Sequence, residues 1–344
     1  MQTPSSNTEV KCDRDPKSKK GYSRPVKRKS NYRYRYKHFH EDRRAVSNIV
    51  TSIMMLGIIL TILGMVMTIY VPMWARSNEI SHMDDAADSF MDLKITIDDQ
   101  ILSNDVGSKF TTRISLGASG GPFLGIGKST GGLVFDSGKA TIMVYQTEDL
   151  LNIYGEGGGN LVYTAQNNYY IDQVMIYENG AFIIEQDDKA ILKASSDLRA
   201  YKDPITNATS IDLNIITLLG NHRNIGGSDD KMIETILTSD MDAPHEFDWY
   251  EPGQSYGQNI TIQYTTFYPD VWVDYFNDTL GTGSNTLTWD ADGPGAGYDG
   301  DYYIETSAHS GGDPVLKDAT DIFVNLRYID HLDCEQAVIA LNIQ

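Results

Sequence analysis

Cysteine is nearly missing from this chain: Cys12 and Cys334 are the only two among 344 residues. No internal disulfide framework and no paired-cysteine metal site can be built from them, so any fold must rest on its own apolar core. Catalytic signatures are missing too. His222, His245, His309 and His331 are scattered, without HExxH or paired metal-ligand spacing, and Ser119 in GASGG lacks the GxSxG elbow. In GPFLGIGKST, Pro122 stands where a phosphate loop needs glycine, and Gly121 lies one place too early. On these grounds the chain reads as a non-enzyme with no cofactor. Positive charge is scarce over most of the sequence. Residues 1–45 hold 14 of the 28 Lys/Arg and 5 of the 47 Asp/Glu, which leaves 14 basic against 42 acidic residues beyond them. So acidic a surface repels phosphate and excludes nucleic acid as a partner of the main domain.

The last absence is local. From Ala45 to Ala75 there is no Asp, Glu, Lys or Arg. About 20 apolar residues cross the hydrocarbon core of a bilayer, so this run predicts a single transmembrane helix with membrane lipid as its partner. Tyr70 and Trp74 fall near its far end, where amphipathic aromatics settle among headgroups. Pro72 predicts a kink near that end. The basic flank before the run places the N-terminus in the cytoplasm and the acidic remainder outside the cell membrane. Within the leader, Arg33, Tyr34, Arg35 and Tyr36 alternate; they read either as the unstructured flank that fixes topology or as a contact for RNA or anionic lipid.

Arg44, Ala45, Val46 and Ser47 stand directly before the uncharged segment. The junction resembles the class III signal peptides of archaeal pilins and archaellins, with Asn48 where that family usually has proline. Downstream, MDDAADSFMDLKITIDDQI, FTTRISL and MIYENGAFIIEQ follow in an order similar to archaeal membrane-anchored, pilin-like surface proteins, over about residues 43–240. The resemblance implies a cut between Ala45 and Val46 by a prepilin peptidase, with the hydrophobic helix retained. Val50 occupies the fifth mature position, where bacterial pilins have glutamate.

The helix is expected to run on past the membrane, through about residue 104. Ile80, Met83, Ala87, Phe90, Ile97 and Ile101 recur at helical spacing, with Asp84, Asp85, Asp88 and Asp92 mostly on other faces. Such a stripe packs on the chain's own β domain or pairs with a second copy. Gly57, Thr61 and Gly64 form a small-residue strip that permits helix self-association. Beyond residue 105 the period becomes alternating. Strands are expected at 110–116, 133–135, 140–145, 160–165, 172–177, 181–185, 210–219, 259–268, 271–276, 301–306, 321–329 and 337–343. Asn179-Gly180 predicts a tight hairpin with positive φ at both residues. Residues 188–202 and 230–238 read as short helices. The expected architecture is α+β: a basic leader (1–45), a long helix (46–104) and an acidic, mainly antiparallel sandwich-like domain (105–344), with an insertion or subdomain at 240–312.

Three sequons, at Asn207, Asn259 and Asn277, offer glycosylation sites on the outer side. Asp290, Asp292 and Asp301 in DADGPGAGYDGD offer hard oxygen ligands for calcium or are plain solvated turns. The aromatic stretch Trp249–Tyr302 fits either glycan stacking or core packing. Three functional readings follow. The first is a pilin-like surface protein displaying its β domain for assembly or adhesion. The second is an uncleaved bitopic envelope protein binding a surface partner or glycan. The third is an extracellular hydrolase.

Overall fold

The computed structural model describes residues 39–118, 128–206, 208–246, 258–281, 287–290, 300–309 and 318–344. The chain divides into two compact units, Met1–Thr61 and Ile62–Gln344. Helix α1 (Phe39–Met65) is followed by a π-helical turn, Val66–Tyr70, and then by α2 (Val71–Ser103). The π turn sits where Pro72 needs it. Proline has no N–H to give the carbonyl four residues back, and here the Val71 N–H reaches Val66 instead, one residue further than in an α-helix. Helix α2 ends at Asn104, whose left-handed backbone (φ 47°) turns its N–H onto the Ile101 carbonyl at 2.9 Å.

Fifteen strands follow among the described residues. They are β1 (Lys109–Ser115), β2 (Thr130–Asp136), β3 (Thr141–Gln146), β4 (Asp149–Gly157), β5 (Asn160–Gln166), β6 (Gln173–Glu178), β7 (Ala181–Gln186) and β8 (Lys189–Ala194). The second half holds β9 (Leu198–Lys202), β10 (Thr209–Leu219), β11 (Arg223–Gly227), β12 (Asp230–Glu246), β13 (Gln258–Thr266), β14 (Tyr302–Ala308) and β15 (Thr320–Ile343), with helix α3 (Pro269–Gly281) between β13 and β14. One sheet runs β1-β12-β15-β13-β3-β4, with β10 and β14 also on β15 and β9 on β10. The other runs β11-β2-β5-β6-β7-β8. Pairing is antiparallel except between β10 and β15. The architecture is thus a long apolar N-terminal helix followed by a mostly antiparallel β-rich domain of two sheets.

Strand β15 organises the larger sheet. Its first half carries β13 on one side and β14 on the other, and its second half carries β12 and β10. The change of partners happens at Tyr328, which has a left-handed backbone (φ 57°), next to register shifts in both β13 and β10. A bulge of this kind bends a strand and lets it serve two sets of neighbours.

Several sequence expectations need correction. Residues 271–276, read as a strand, lie in α3. Their valine and aromatics favour strands, but Val271, Trp272, Tyr275, Phe276 and Leu280 share one helical face and are all buried. Residues 188–202 form β8 and β9, not a helix; Asp187 and Asp188 (φ 51° and 59°) make a tight turn into β8. Residues 230–238 begin β12, where Ile233, Thr235 and Leu237 alternate into the interior. The strands expected at 321–329 and 337–343 are two halves of β15. The 240–312 segment supplies the end of β12, then β13, α3 and β14. The Asn179-Gly180 turn has the predicted positive φ at both residues, 42° and 75°.

Two cores result. One lies between α3, β3, β10, β13, β15 and one face of β6–β7, around Trp272, Tyr264 and Ile183. Its Trp272 Nε1 and Thr266 hydroxyl both donate to Glu178, at 2.6 and 2.9 Å, and burial raises the pKa of that carboxyl. The other core surrounds α2. Phe90, Leu93 and Ile97 cluster with residues from the opposite face of β5–β7, from β12 and from the second half of β15. The helical stripe is therefore satisfied by the chain's own β domain. Met83, Phe90, Ile97 and Ile101 are buried as the spacing predicts, whereas Ile80 and Ala87 are half-buried.

Candidate membrane anchor and its junction with the β domain

Every large apolar side chain from Ile49 to Val66 is exposed, and Ile53, Met54, Met55 and Ile58 each keep at least 60% of their accessible surface. Among the described residues this is one helix long and apolar enough to cross a membrane, with no part of its most apolar window covered by protein. A contiguous apolar surface of this size is unstable in water and needs lipid or protein around it. Its polar groups are already turned inward. Thr51, Ser52, Thr61 and Thr68 each donate a hydroxyl to the carbonyl four residues earlier, at 2.8–2.9 Å. That pattern removes side-chain donors that hydrocarbon could not satisfy. Gly57 and Gly64 have no neighbouring atom within 4 Å of a virtual Cβ, so the small-residue strip is bare.

Arg44, Ala45, Val46 and Ser47 all lie within α1, which begins at Phe39 rather than at residue 46. The bond of the expected cut is thus in helical backbone.

Where α2 enters the β domain, three polar residues join its buried stripe: Glu79, His82 and Gln100. Glu79 is completely buried. Its Oε1 accepts from the Asn168 N–H at 2.9 Å, and its Oε2 accepts from the N–H groups of Tyr169 and Tyr170, both at 2.7 Å. One carboxylate thereby satisfies three successive donors of the β5–β6 loop, a charge-assisted arrangement that fastens loop to helix. Sequence reasoning missed it, although Glu79 lies in phase with Ala75, Met83, Ala86 and Phe90. Gln100 donates to the Ser108 and Thr235 carbonyls, tying the end of α2 to β12.

His82 Nε2 lies 3.1 Å from the Tyr163 hydroxyl, which itself donates to the Leu116 carbonyl at 3.0 Å. With that hydroxyl donating onward, His82 Nε2–H is the donor to it. Burial lowers the His82 pKa below its usual value, and the opposing pull of Asp85 is smaller. The folded state therefore resists a proton that the unfolded chain accepts near pH 6.5, so stability present above that pH is lost as pH falls through it. We expect His82→Gln, which keeps a donor for Tyr163, to narrow its stability gap to the native chain as pH drops from 7.5 to 5.5. Denaturant midpoints of both full-length proteins in detergent measure it.

The other sequence-predicted residues are dispersed. Asn207 and Asp292 lie outside the described residues. Asn259 accepts from the Tyr328 N–H at 3.4 Å beside the β15 bulge, and Asn277, half-buried on α3, accepts from the Tyr302 hydroxyl at 3.4 Å. Asp290 accepts from Arg327 at 2.6 Å, and Asp301 accepts from Lys202 at 2.6 Å and from Thr288. Each carboxylate is thus held against a cation of this chain. No group of three or more His, Cys, Asp or Glu among the described residues is arranged to hold a metal. His222 and His309 face Asp136 and Asp321 separately, at 3.7 and 2.8 Å. The Cys334 thiol is buried and its pKa pushed up to about 12, which leaves it unreactive. Of the aromatic stretch, Tyr264, Trp272, Tyr275, Phe276 and Tyr302 are buried in the core, while Trp289 is exposed.

A family model matches residues 44–301, about three quarters of the chain. The chain belongs to the DUF7289 family, a family of unknown function. The DUF7289 match opens at Arg44, the last charge before the apolar run, and takes in the candidate span, the Glu79 clamp and every strand up to β13. It closes just before β14 and β15, so the strand that organises the larger sheet lies beyond it. No curated protein and no solved structure matches the chain.

Proposed function

We propose that this DUF7289 chain is a pilin-like cell-surface protein of archaeal type, held in the cell membrane by α1 and displaying its sandwich-like β domain outside for assembly or adhesion. One observation carries the reading: the helical run is bare and apolar over its first half, while its second half forms part of the β core. The same helix can thus serve as a membrane tether or as the packing element of a filament, with Gly57 and Gly64 open to a second copy. The basic leader before Ala45 supports an inside N-terminus.

A second reading, a bitopic envelope protein that keeps its leader and binds a surface partner or glycan, draws on one further fact. The Ala45–Val46 bond lies seven residues inside α1, where a peptidase would have to unwind the helix first. Mass spectrometry of the protein from alkaline-washed native membranes tests both. A mature start at Val46 is the expected result. A start at Met1 or Gln2 overturns processing and leaves the bitopic reading, and recovery of the chain in the alkaline wash overturns the anchor itself.

A further inference from the structure

The β5–β6 loop, residues 167–172, is braced from within and from below. The Asn167 N–H donates to Asp172 Oδ1 at 2.7 Å, and the Asn167 side chain donates to the Ile171 carbonyl at 3.0 Å. The Asn168 side chain hooks onto the Lys128 carbonyl at 3.0 Å, and Glu79 collects the three N–H groups of Asn168–Tyr170. So much hydrogen bonding fixes the backbone, yet the loop presents two apolar-bodied side chains to the outside: Tyr169 and Ile171, each 39% exposed.

The level at which Glu79 holds this loop gives the exposure a meaning. Glu79 is five residues beyond Trp74, about 7.5 Å along the helix axis. The polar interfacial layer on each side of a bilayer is about 5–8 Å deep. Side chains on a helix lean toward its N-terminus, which for α2 is toward the apolar run, so the Glu79 carboxylate and the loop it grips lie nearer the membrane than the Glu79 Cα. Tyrosine is the residue type that settles at that depth, with its ring among acyl-chain ends and its hydroxyl among headgroups. Exposed Arg76, half a turn beyond Trp74, and exposed Lys128, to whose carbonyl the loop is hooked, bring positive charge suited to lipid phosphate.

We propose that the 167–172 loop is a second lipid-contact site, in which Tyr169 and Ile171 enter the headgroup layer and fix the tilt of the β domain on the bilayer. This rests on reading the apolar run as a membrane span. Neither the fold nor the anchor requires the contact: a domain on a helix alone would be free to tilt, and the loop removes that freedom through a carboxylate placed for the purpose.

Site-directed fluorescence quenching on the full chain in phosphatidylcholine–phosphatidylglycerol vesicles tests it. Single cysteines replace Ile58, Leu151, Tyr169 and Ile171 in a Cys12→Ser background, each carrying an environment-sensitive dye; Cys334 stays because it is buried. We expect the dyes at 169 and 171 to lose emission to a headgroup-level nitroxide lipid and to resist aqueous iodide. The dye at 151, on the 91%-exposed Leu151 position of β4, should do the reverse. If 169 and 171 respond like 151 while 58 is quenched by an acyl-chain nitroxide, the loop proposal is overturned and the anchor stands. Protection from iodide at 169 and 171 that depends on protein concentration and not on nitroxide lipid assigns the patch to a second copy and also overturns it. If 58 is not quenched from within the acyl chains, the span fails and the loop site falls with it.

Discussion

Replacing Phe90 with alanine should destabilise the β domain by about 3–5 kcal/mol, the range for deleting a fully buried aromatic ring. Phe90 has no accessible surface, its ring stacks on Phe182 with centroids 5.6 Å apart, and Tyr163 lies 6.4 Å away. Phe182 and Tyr163 belong to the smaller sheet, and the same core takes in Ile339 and Leu341 of the larger one. A hole at Phe90 therefore opens between the helix and the smaller sheet, inside a cluster that residues of the larger sheet also join. Phe90→Leu keeps most of the volume and should lose about 1 kcal/mol. Denaturant midpoints of the full-length protein in detergent micelles measure both. A loss below about 1 kcal/mol for the alanine variant would mean that α2 is a detachable stalk rather than part of the core.

The second large effect is expected at Glu79. Truncation to alanine removes the acceptor from three backbone N–H groups at once. Each unpaired buried donor costs about 1–3 kcal/mol, and water can reach part of this half-exposed loop, so a total of about 3 kcal/mol is expected. Glu79→Gln should recover part of the loss, because one amide oxygen still accepts while the NH₂ group meets an N–H it cannot accept from. Hydrogen exchange locates the effect. Amides of Asn168, Tyr169 and Tyr170 should lose protection in Glu79→Ala before strands β5 and β6 do. Uniform loss across the domain would show that Glu79 supports the whole core and not the loop in particular.

Such residues mark the division between what could be read from the sequence and what could not. The helical character of the uncharged run from Ala45 to Ala75, the α2 stripe and the Asn179-Gly180 turn were legible because each is a local pattern. Residues 271–276 misled because composition and phase disagreed there: Val, Trp, Tyr and Phe favour strands, while their spacing favours a helix. The turn at Asp187-Asp188 was hidden because aspartate reaches positive φ only with help from its surroundings. The parallel pairing of β10 with β15 joins residues more than 100 positions apart, and nothing local announces it. At the junction, Glu79 looked like one more acidic residue among 47 until the loop folded onto it.

The central position of β15 also bears on the order in which the molecule is made. Its 24 residues follow every other described element, yet β10, β12, β13 and β14 all hydrogen-bond to it. Until those residues emerge, the larger sheet has no spine, and β10 and β14 lack the strand they flank. Pairings this distant form slowly, because chain entropy must be lost before contacts repay it. The strands of the larger sheet therefore wait for β15, whereas the smaller sheet, which contains no part of it, does not. Pairing with β15 would then act as the latch that closes the larger sheet.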